Sequence, residues 1–343
     1  MIEMNRKRVL IAAAIILTLL HLVLLWWVCS LFLSPFEIEE PTYIYIRPQD
    51  TEDSVKQMLR TDAHASNLRG WSVARMVTDY TPRTGRYEIL PGESMWNVYR
   101  KLQRGRQTPV RLVLPSLRSM DRLASLIGRT LMPDSAEVAA SLQDSLFTSR
   151  YGYTPATIPA LFIPNTYEFY WDVTLDQLAE RMVKENKRFW EAEDRNAKAQ
   201  RMGMSHEEVV TLASIVDEET ANNGEKPMIA GMYLNRLRIG MLLQADPTVK
   251  FAVGDPTLRR IRGSHLKVES PYNTYLNKGL PPGPIRIASV AGIDAVLNHV
   301  NHDYIYMCAK EDFSGTHNFA ATYSEHQKNA ARYVKALNER GIK

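Results

Sequence analysis

The sequence predicts an α+β protein with a single amino-terminal transmembrane helix, a small α/β subdomain and a larger mixed α+β domain. Two patterns carry this prediction: an uncharged apolar run over residues 9–33, and short strand patterns mixed with helical ones over the rest of the chain. A length of 343 residues also leaves room for two or three structural units.

The composition is that of an ordinary globular protein. Hydrophobic residues make up 45% of the chain and charged residues 23%, which excludes global disorder and collagen-like architectures. With 42 basic and 38 acidic residues, the net charge of +4 is too balanced for a dedicated nucleic-acid binder, so we expect no nucleic-acid partner. Two cysteines are too few for a disulfide framework or a cysteine-based zinc site.

Residues 1–33 are predicted to be a cytoplasmic stub and a membrane anchor. At ~1.5 Å per residue, the uncharged run 9–33 is long enough to cross a ~30 Å hydrocarbon core. Basic residues at 6–8 precede the run and acidic residues at 37–40 follow it. The positive-inside rule therefore predicts a single-pass protein of the inner (cytoplasmic) membrane, with the rest of the chain on the periplasmic side. A cleaved signal peptide is the alternative, but its apolar stretch would be shorter and end in small residues.

Residues 34–41 form a short acidic linker, and residues 42–115 form the small subdomain. Alternating β-formers predict strands at 42–47 and 86–90, and apolar periodicity predicts helices at 51–60, 66–79 and 94–105. The segment from Tyr87 to Val98, a strand, a Pro-Gly turn and a helix capped by Ser94, resembles a LysM carbohydrate-binding module. Any small α/β unit can be built in this way, so glycan binding by the subdomain stays open.

Residues 116–343 form the larger domain. Helical patterns cover 116–152 and 175–199, a strand is expected at 304–308, and a terminal helix is expected from Ser324, capped with Gln327, to about residue 340. The most informative helix runs from Ser205 to Thr220 and begins with a capping box of Ser205 and Glu208.

That helix ends in three consecutive acids, Asp217, Glu218 and Glu219. Carboxylates are unfavourable at the carboxyl end of a helix, because that end already carries a partial negative charge. Residues placed against such a preference are often functional. Glu219 continues the apolar stripe of Ile215 and Val216 and is expected to be partly buried, whereas Glu218 lies on a polar stripe facing water. Burial raises the pKa of a carboxyl, and a protonated carboxylic acid is the proton donor that glycosidic cleavage needs. The alternative is a frayed helix end with all three acids solvated.

Several further motifs follow each other in a set order. With the helix end they are Leu212–Thr220, Met232–Leu237, Leu243–Val249, Tyr272–Tyr275, Gly279–Ile285, Tyr304–Tyr306, His317–Phe319 and, upstream, Phe162–Tyr167. Through this set the chain resembles the YceG-like family of endolytic murein transglycosylases over nearly its whole length.

The resemblance implies a reaction and a catalytic residue. The family's catalytic glutamate is the second acid of a Glu-x-Glu-Thr segment, which is Glu219 here; the first acid is Asp217 instead of Glu, which leaves an accessory role for it open. The implied reaction cleaves the β-1,4 bond from N-acetylmuramic acid to N-acetylglucosamine inside nascent peptidoglycan strands. Glu219 would act first as general acid and then as base for the muramyl C6 hydroxyl, giving a 1,6-anhydro end. The implied partners are glycan strands and, in the family, penicillin-binding proteins; no cofactor is implied.

Other polar residues are candidates for binding the sugar polymer. A polar loop with Gln244, Asp246 and Thr248, the pair Asn273 and Tyr275, and finally His317 offer the amide, hydroxyl and aromatic groups that suit a saccharide; turn chemistry or packing is the alternative for each. Arg236 is a possible accessory residue that could hold a carboxylate, although a surface ion pair is the commoner role. No His-Glu-x-x-His motif is present and no metal is expected.

Two other functions stay open at this point. One is a non-catalytic peptidoglycan-binding scaffold in which Glu219 is vestigial. The other is a muramidase in which water attacks, which would need a second carboxylate ~5–9.5 Å from the first. Asp217 and Asp246 are the candidates for that second carboxylate.

Overall fold

The structure is a computed structural model that describes residues 2–255, 258 and 260–341. It confirms a mixed helix-and-sheet fold.

The helices are α1 (Ile2–Phe32), α2 (Glu52–Thr61), α3 (Arg69–Val77), α4 (Met95–Gln103), α5 (Met120–Thr130), α6 (Ser135–Gln143), α7 (Ser145–Ser149), α8 (Leu175–Glu191), α9 (Arg195–Met202), α10 (His206–Glu219), α11 (Lys226–Arg238), α12 (Asp246–Val253), α13 (Val290–Leu297) and α14 (Tyr323–Glu339). The strands are β1 (Thr42–Ile46), β2 (Gly85–Ile89), β3 (Val110–Leu114), β4 (Asn165–Phe169), β5 (Tyr306–Ala309) and β6 (His317–Ala320). They pair two by two, β1 with β2, β3 with β4, and β5 with β6.

Helix α1 is long and apolar enough to cross a membrane. The candidate span is Arg6–Val28, 23 residues whose side chains are exposed rather than packed against the rest of the chain. Exposed Leu, Ile and Val side chains along such a length are costly in water and suit a hydrocarbon environment.

The chain divides into two compact units. One consists of Met1–Val110 with Glu168–Val173, and the other of Arg111–Tyr167 with Thr174–Lys343. In the first unit, β1 and β2 pair antiparallel, with Thr42 opposite Ile89 and Ile46 opposite Gly85. The inward side chains of this pair are fully buried against apolar residues of α2, α3 and α4.

Helix α10 is the central element of the second unit. Residues 209–216 are all buried, and apolar residues of α9, α11 and α13 pack in the same core. The predicted capping box is confirmed: Ser205 Oγ accepts from the Glu208 amide, and Glu208 Oε2 accepts from the Ser205 amide. Capping fixes where α10 begins, and its buried length then fixes where its acidic end lies.

Two predicted helices differ in the structure. The helix expected over 175–199 is broken between α8 and α9, where Glu193 and Asp194 adopt left-handed backbone angles. The break lets the buried Arg195 turn inward and form a bidentate ion pair with Asp294 of α13. The terminal helix α14 is capped by Thr322 and Glu325 rather than by Ser324 and Gln327, because the Thr322 hydroxyl reaches the Glu325 amide.

A buried ion pair joins α10, α11 and the start of α13. Lys226 Nζ lies 2.7 Å from Asp217 Oδ1, and both side chains are almost completely buried. The other donors to the Asp217 carboxylate are the amide and the hydroxyl of Ser289, at 2.6 and 2.8 Å. Ser289 is itself the N-cap of α13, so Asp217 holds the amino end of that helix in place.

We predict that Gly292→Ala destabilises the fold by about 1–3 kcal/mol through overpacking. A Cβ at this position would lie 2.5–2.8 Å from the pinned Asp217 carboxylate. Within a helix, Ala is otherwise more favourable than Gly, so a loss of stability isolates the clash. Gly263→Ala is the control, because a Cβ there meets nothing within 4 Å. Urea unfolding of both variants measures the effect, and equal stabilities would contradict the close approach.

Candidate active site

An open polar cleft of about 210 Å³ lies at the carboxyl end of α10. Five segments supply its walls: the end of α10, one face of α11, the chain at the start of α12, the loop that carries Tyr275, and β5. The lining residues are Glu219, Met232, Tyr233, Arg236, Gln244, Asp246, Tyr275 and Met307. The cleft thus gathers Glu219 with four other residues that the sequence singled out.

Glu219 is the partly buried carboxyl of this cleft, as its place on the apolar stripe of α10 indicated. The Tyr233 hydroxyl donates a hydrogen bond of 2.6 Å to Glu219 Oε1. Burial raises the pKa of the Glu219 carboxyl, since water no longer stabilises its charge, and the negative charge of Asp246 adds to that effect. The hydrogen bond from Tyr233 and the positive charge of Arg236 oppose it, yet the pKa stays raised.

Tyr233 is a site residue that the sequence reasoning missed. It lies on α11, three residues before Arg236 and on the same helical face, and its ring is completely buried. Burial and the neighbouring Glu219 raise the pKa of the Tyr233 hydroxyl well above its ordinary value, so the group remains a proton-bearing donor. The spacing from Arg236 was the available signal, because two polar residues on one helical face of an otherwise apolar segment point to the same place.

Arg236 is buried rather than paired at the surface. Its guanidinium donates to the backbone carbonyls of Ile305 and Leu243, and it lines the cleft. These bonds connect α11 to the chain just before β5 and to the chain just before α12. Arg236 therefore helps to hold the cleft walls together and also places a positive charge near Glu219.

Gln244, Asp246 and Tyr275 lie in the cleft as a second polar group. The Tyr275 hydroxyl donates a hydrogen bond of 2.6 Å to Asp246 Oδ1. Asp246 begins α12, so the segment expected as a polar loop is partly the first turn of a helix. Gln244 has a left-handed backbone with φ of 48°, which is uncommon for a residue other than glycine.

Thr248 and Asn273 lie beneath the cleft instead of lining it. Both are completely buried. Asn273 Nδ2 donates to the carbonyls of Leu266 and Val268, and the Thr248 hydroxyl donates to the carbonyl of Ala245. Their polar groups are used to fix the loops that carry Gln244 and Tyr275, which is the packing alternative named for them above.

His317 forms a close pair with Glu225 at the start of β6. Its Nδ1 lies 3.0 Å from Glu225 Oε2, and its backbone amide donates to Glu225 Oε1 at 2.6 Å. The buried Glu225 precedes α11, so the pair ties the β5–β6 hairpin to the helix that carries Tyr233. His317 is therefore a neighbour of the cleft and not one of its lining residues.

The other two acids at the end of α10 point away from the cleft. Asp217 is held by Lys226 and Ser289, as described above. Glu218 Oε1 accepts from Arg286 at 2.6 Å and from Arg118 at 2.9 Å. The expectation that Glu218 faces water is therefore wrong, because two arginines from distant segments cover it.

No group of three or more His, Cys, Asp or Glu side chains is placed to hold a metal ion within the part of the chain that the structure describes.

The fold and the cleft define a mixed α+β protein in which the end of a core helix places the partly buried Glu219 carboxyl in an open polar cleft. The chain belongs to the YceG-like family, whose model matches residues 44–332. A crystal structure of a YceG-like protein from Listeria monocytogenes is similar with a TM-score of 0.55 and 28% identity, over 85% of this chain and 99% of that one.

Curated relatives carry a more specific name. An endolytic murein transglycosylase of Bacillus subtilis is 34% identical over 178 residues, which is 52% of this chain and 48% of that protein. An endolytic murein transglycosylase of Streptococcus pneumoniae is 26% identical over 290 residues, which is 74% of this chain and 51% of that protein. The chain therefore spans about half the length of the curated relatives it matches.

We predict that Asp217→Asn destabilises the protein by about 3–5 kcal/mol, because it leaves the buried Lys226 ammonium without its partner charge. The double variant Asp217→Asn with Lys226→Met should recover most of that loss. Denaturant unfolding of the two single variants and the double variant measures the coupling. An Asp217→Asn protein with normal stability but lost activity would instead make Asp217 an accessory catalytic residue.

Proposed function

We propose that this protein is a membrane-anchored lytic transglycosylase that cleaves the N-acetylmuramic acid-β-1,4-N-acetylglucosamine bond within nascent peptidoglycan strands. The observation that carries the proposal is the buried Glu219 carboxyl, whose pKa is raised in an open polar cleft. Membership of the YceG-like family and the names of the curated relatives support the substrate.

Glu219 first acts as a general acid. Its proton passes to the glycosidic oxygen, and the bond between that oxygen and C1 of the muramyl residue breaks. A carboxyl with a raised pKa retains its proton at a pH at which an ordinary glutamate has lost it, so Glu219 is better suited to donate a proton than an exposed glutamate.

The same carboxyl then acts as a base. It accepts the proton of the muramyl C6 hydroxyl while the oxygen of that hydroxyl bonds to C1, which closes the 1,6-anhydro ring and restores protonated Glu219. Between the two steps the carboxylate is stabilised by the hydrogen bond from Tyr233 and by the nearby charge of Arg236. Tyr233 and Arg236, which lower the pKa of Glu219, thus assist the second step, in which Glu219 acts from its ionised form. Burial, which raises that pKa, assists the first step, in which Glu219 donates its proton.

The muramidase alternative depends on Asp246. It is a second carboxylate in the same cleft, whereas Asp217 is enclosed by its own partners. In a hydrolase, Asp246 would have to activate a water molecule. Its Oδ1 already accepts from the Tyr275 hydroxyl, an arrangement that suits a fixed substrate contact, so we assign Asp246, Tyr275 and Gln244 to sugar binding.

The location and organisation of the chain complete the proposal. Helix α1 would anchor the protein in the inner membrane with its amino end in the cytoplasm, residues 34–41 would link it to a LysM-like subdomain at 42–115, and residues 116–343 would form the periplasmic catalytic domain. A short tether restricts the reach of the cleft to strands close to the membrane. Penicillin-binding proteins and other parts of the synthesis machinery would then be neighbours at the same strands.

We predict that Glu219→Gln lowers the turnover of purified uncross-linked glycan strands by ~10²–10⁴-fold, because the neutral amide neither transfers a proton to the leaving oxygen nor removes one from the C6 hydroxyl. Mass spectrometry of the wild-type products distinguishes the mechanisms: 1,6-anhydro ends support the proposal, and reducing ends identify a muramidase. A wild-type protein without turnover, unchanged by the substitution, would leave only the scaffold.

We predict that Tyr233→Phe moves the alkaline limb of the pH–rate profile to higher pH. Removing the donor destabilises the charged form of Glu219, so its pKa rises and the protonated acid persists to higher pH. The rate at the optimum should fall as well, because the carboxylate needed for the second step is less stabilised. The profile of kcat/KM against pH tests this, and an alkaline limb that stays in place or moves to lower pH would contradict it.

A further inference from the structure

Three aromatic rings form a cluster at the end of the β5–β6 hairpin and the start of α14. The ring of Tyr306 lies 5.8 Å from that of Tyr323 and 5.3 Å from that of His326, with the His326 ring nearly parallel to it. Tyr323 and His326 are 6.2 Å apart. We call these three residues the aromatic cluster.

The aromatic cluster adjoins the cleft. The Arg236 guanidinium, which lines the cleft, lies 5.8 Å from the centre of the Tyr306 ring. Met307, the next residue of β5, is also part of the cleft wall. The aromatic cluster therefore lies beside the cleft, next to Arg236.

The cluster presents an aromatic surface to solvent. Tyr323 is 59% exposed, while Tyr306 and His326 are half-buried beneath it. Burial and the positive charge of Arg236 lower the pKa of His326, so the imidazole is neutral at neutral pH and contributes an uncharged ring. A ring that only stabilised the start of α14 would be covered, whereas most of the Tyr323 side chain is open.

The cleft has a volume of about 210 Å³ and centres on one carboxyl, that of Glu219. An enzyme that cuts inside a strand must hold sugars on both sides of the broken bond, so further binding surface is needed beyond the cleft walls.

We propose that the aromatic cluster is a saccharide-binding subsite, in which a sugar of the bound glycan strand, one or more units from the cleaved bond, stacks on the exposed ring of Tyr323. The apolar C–H face of a pyranose packs on an aromatic face, and the Tyr323 hydroxyl can hydrogen-bond a sugar hydroxyl at the ring edge. This inference rests on the proposed function, since it assigns the polymer of that reaction to a second surface.

Binding is tested in full-length protein in detergent that carries Glu219→Gln, so that the strand is not cut. The probes are purified uncross-linked glycan strands and the N-acetylglucosamine–N-acetylmuramic acid disaccharide. We expect Tyr323→Ala to weaken strand binding by ~3–10-fold and to leave disaccharide binding unchanged. Tyr323→Leu, which keeps apolar bulk without a flat ring, should show the same loss, and Tyr323→Phe should bind strands within about twofold of the parent.

Val334→Ala is the matched control, because Val334 is a similarly exposed apolar residue on α14, outside the aromatic cluster. Unchanged strand binding in both Tyr323→Ala and Tyr323→Leu would overturn the subsite, as would a loss of equal size in Val334→Ala. If the wild-type enzyme gives anhydro products while the Tyr323 variants bind normally, the subsite fails and the proposed function stands. If the wild-type enzyme gives no products but the Tyr323 variants lose strand binding, the proposed function fails and the surface remains a saccharide site.

Discussion

The structure depends on keeping one carboxyl, that of Glu219, partly out of water at the end of a buried helix. Such a group is costly unless it is protonated or hydrogen-bonded, and Glu219 has both possibilities: burial favours the proton, and the Tyr233 hydroxyl at 2.6 Å stabilises the anion. The protonated and ionised forms of Glu219 are thereby brought closer in free energy. That balance is what a group needs if it is to give a proton in one step and take one in the next.

The three adjacent acids at the end of α10 show how the fold provides for this. Asp217 pairs with Lys226, and Glu218 pairs with Arg286 and Arg118. These positive charges offset the negative charge at the carboxyl end of α10, and they lie outside the cleft. These ion pairs also fix α13 and the segment around 286 against α10. Glu219 is left with a hydrogen bond from the Tyr233 phenol and with the more distant charge of Arg236, and burial raises its pKa. The carboxylates of Asp217 and Glu218 are instead held in ion pairs that connect parts of the fold.

Much of the architecture could be predicted from local sequence, but the contacts within the site could not. The capping box at Ser205 and the apolar stripe of α10 are local signals, and they were enough to single out Glu219. The burial of Asp217 and the role of Tyr233 depend on which separate helices meet, and helical periodicity does not contain that information. The internal use of Asn273 depends on the conformation of its own loop, where it bonds to the carbonyls of Leu266 and Val268. The break between α8 and α9 was missed for the same reason: Arg195 overrides the local preference for a continuous helix by pairing with Asp294, about a hundred residues away in the sequence.

The most direct test of the account is the protonation state of Glu219 itself. Carbon-13 NMR of protein labelled at the glutamate side-chain carboxyls follows this group through a pH titration, with Glu219→Gln assigning the signal. We expect the Glu219 carboxyl to titrate clearly above the ~4.3 of an unperturbed glutamate, and its pKa to rise further in Tyr233→Phe. A wild-type pKa at or below that ordinary value would contradict a proton-donating Glu219, because the group would then be a carboxylate with no proton to give.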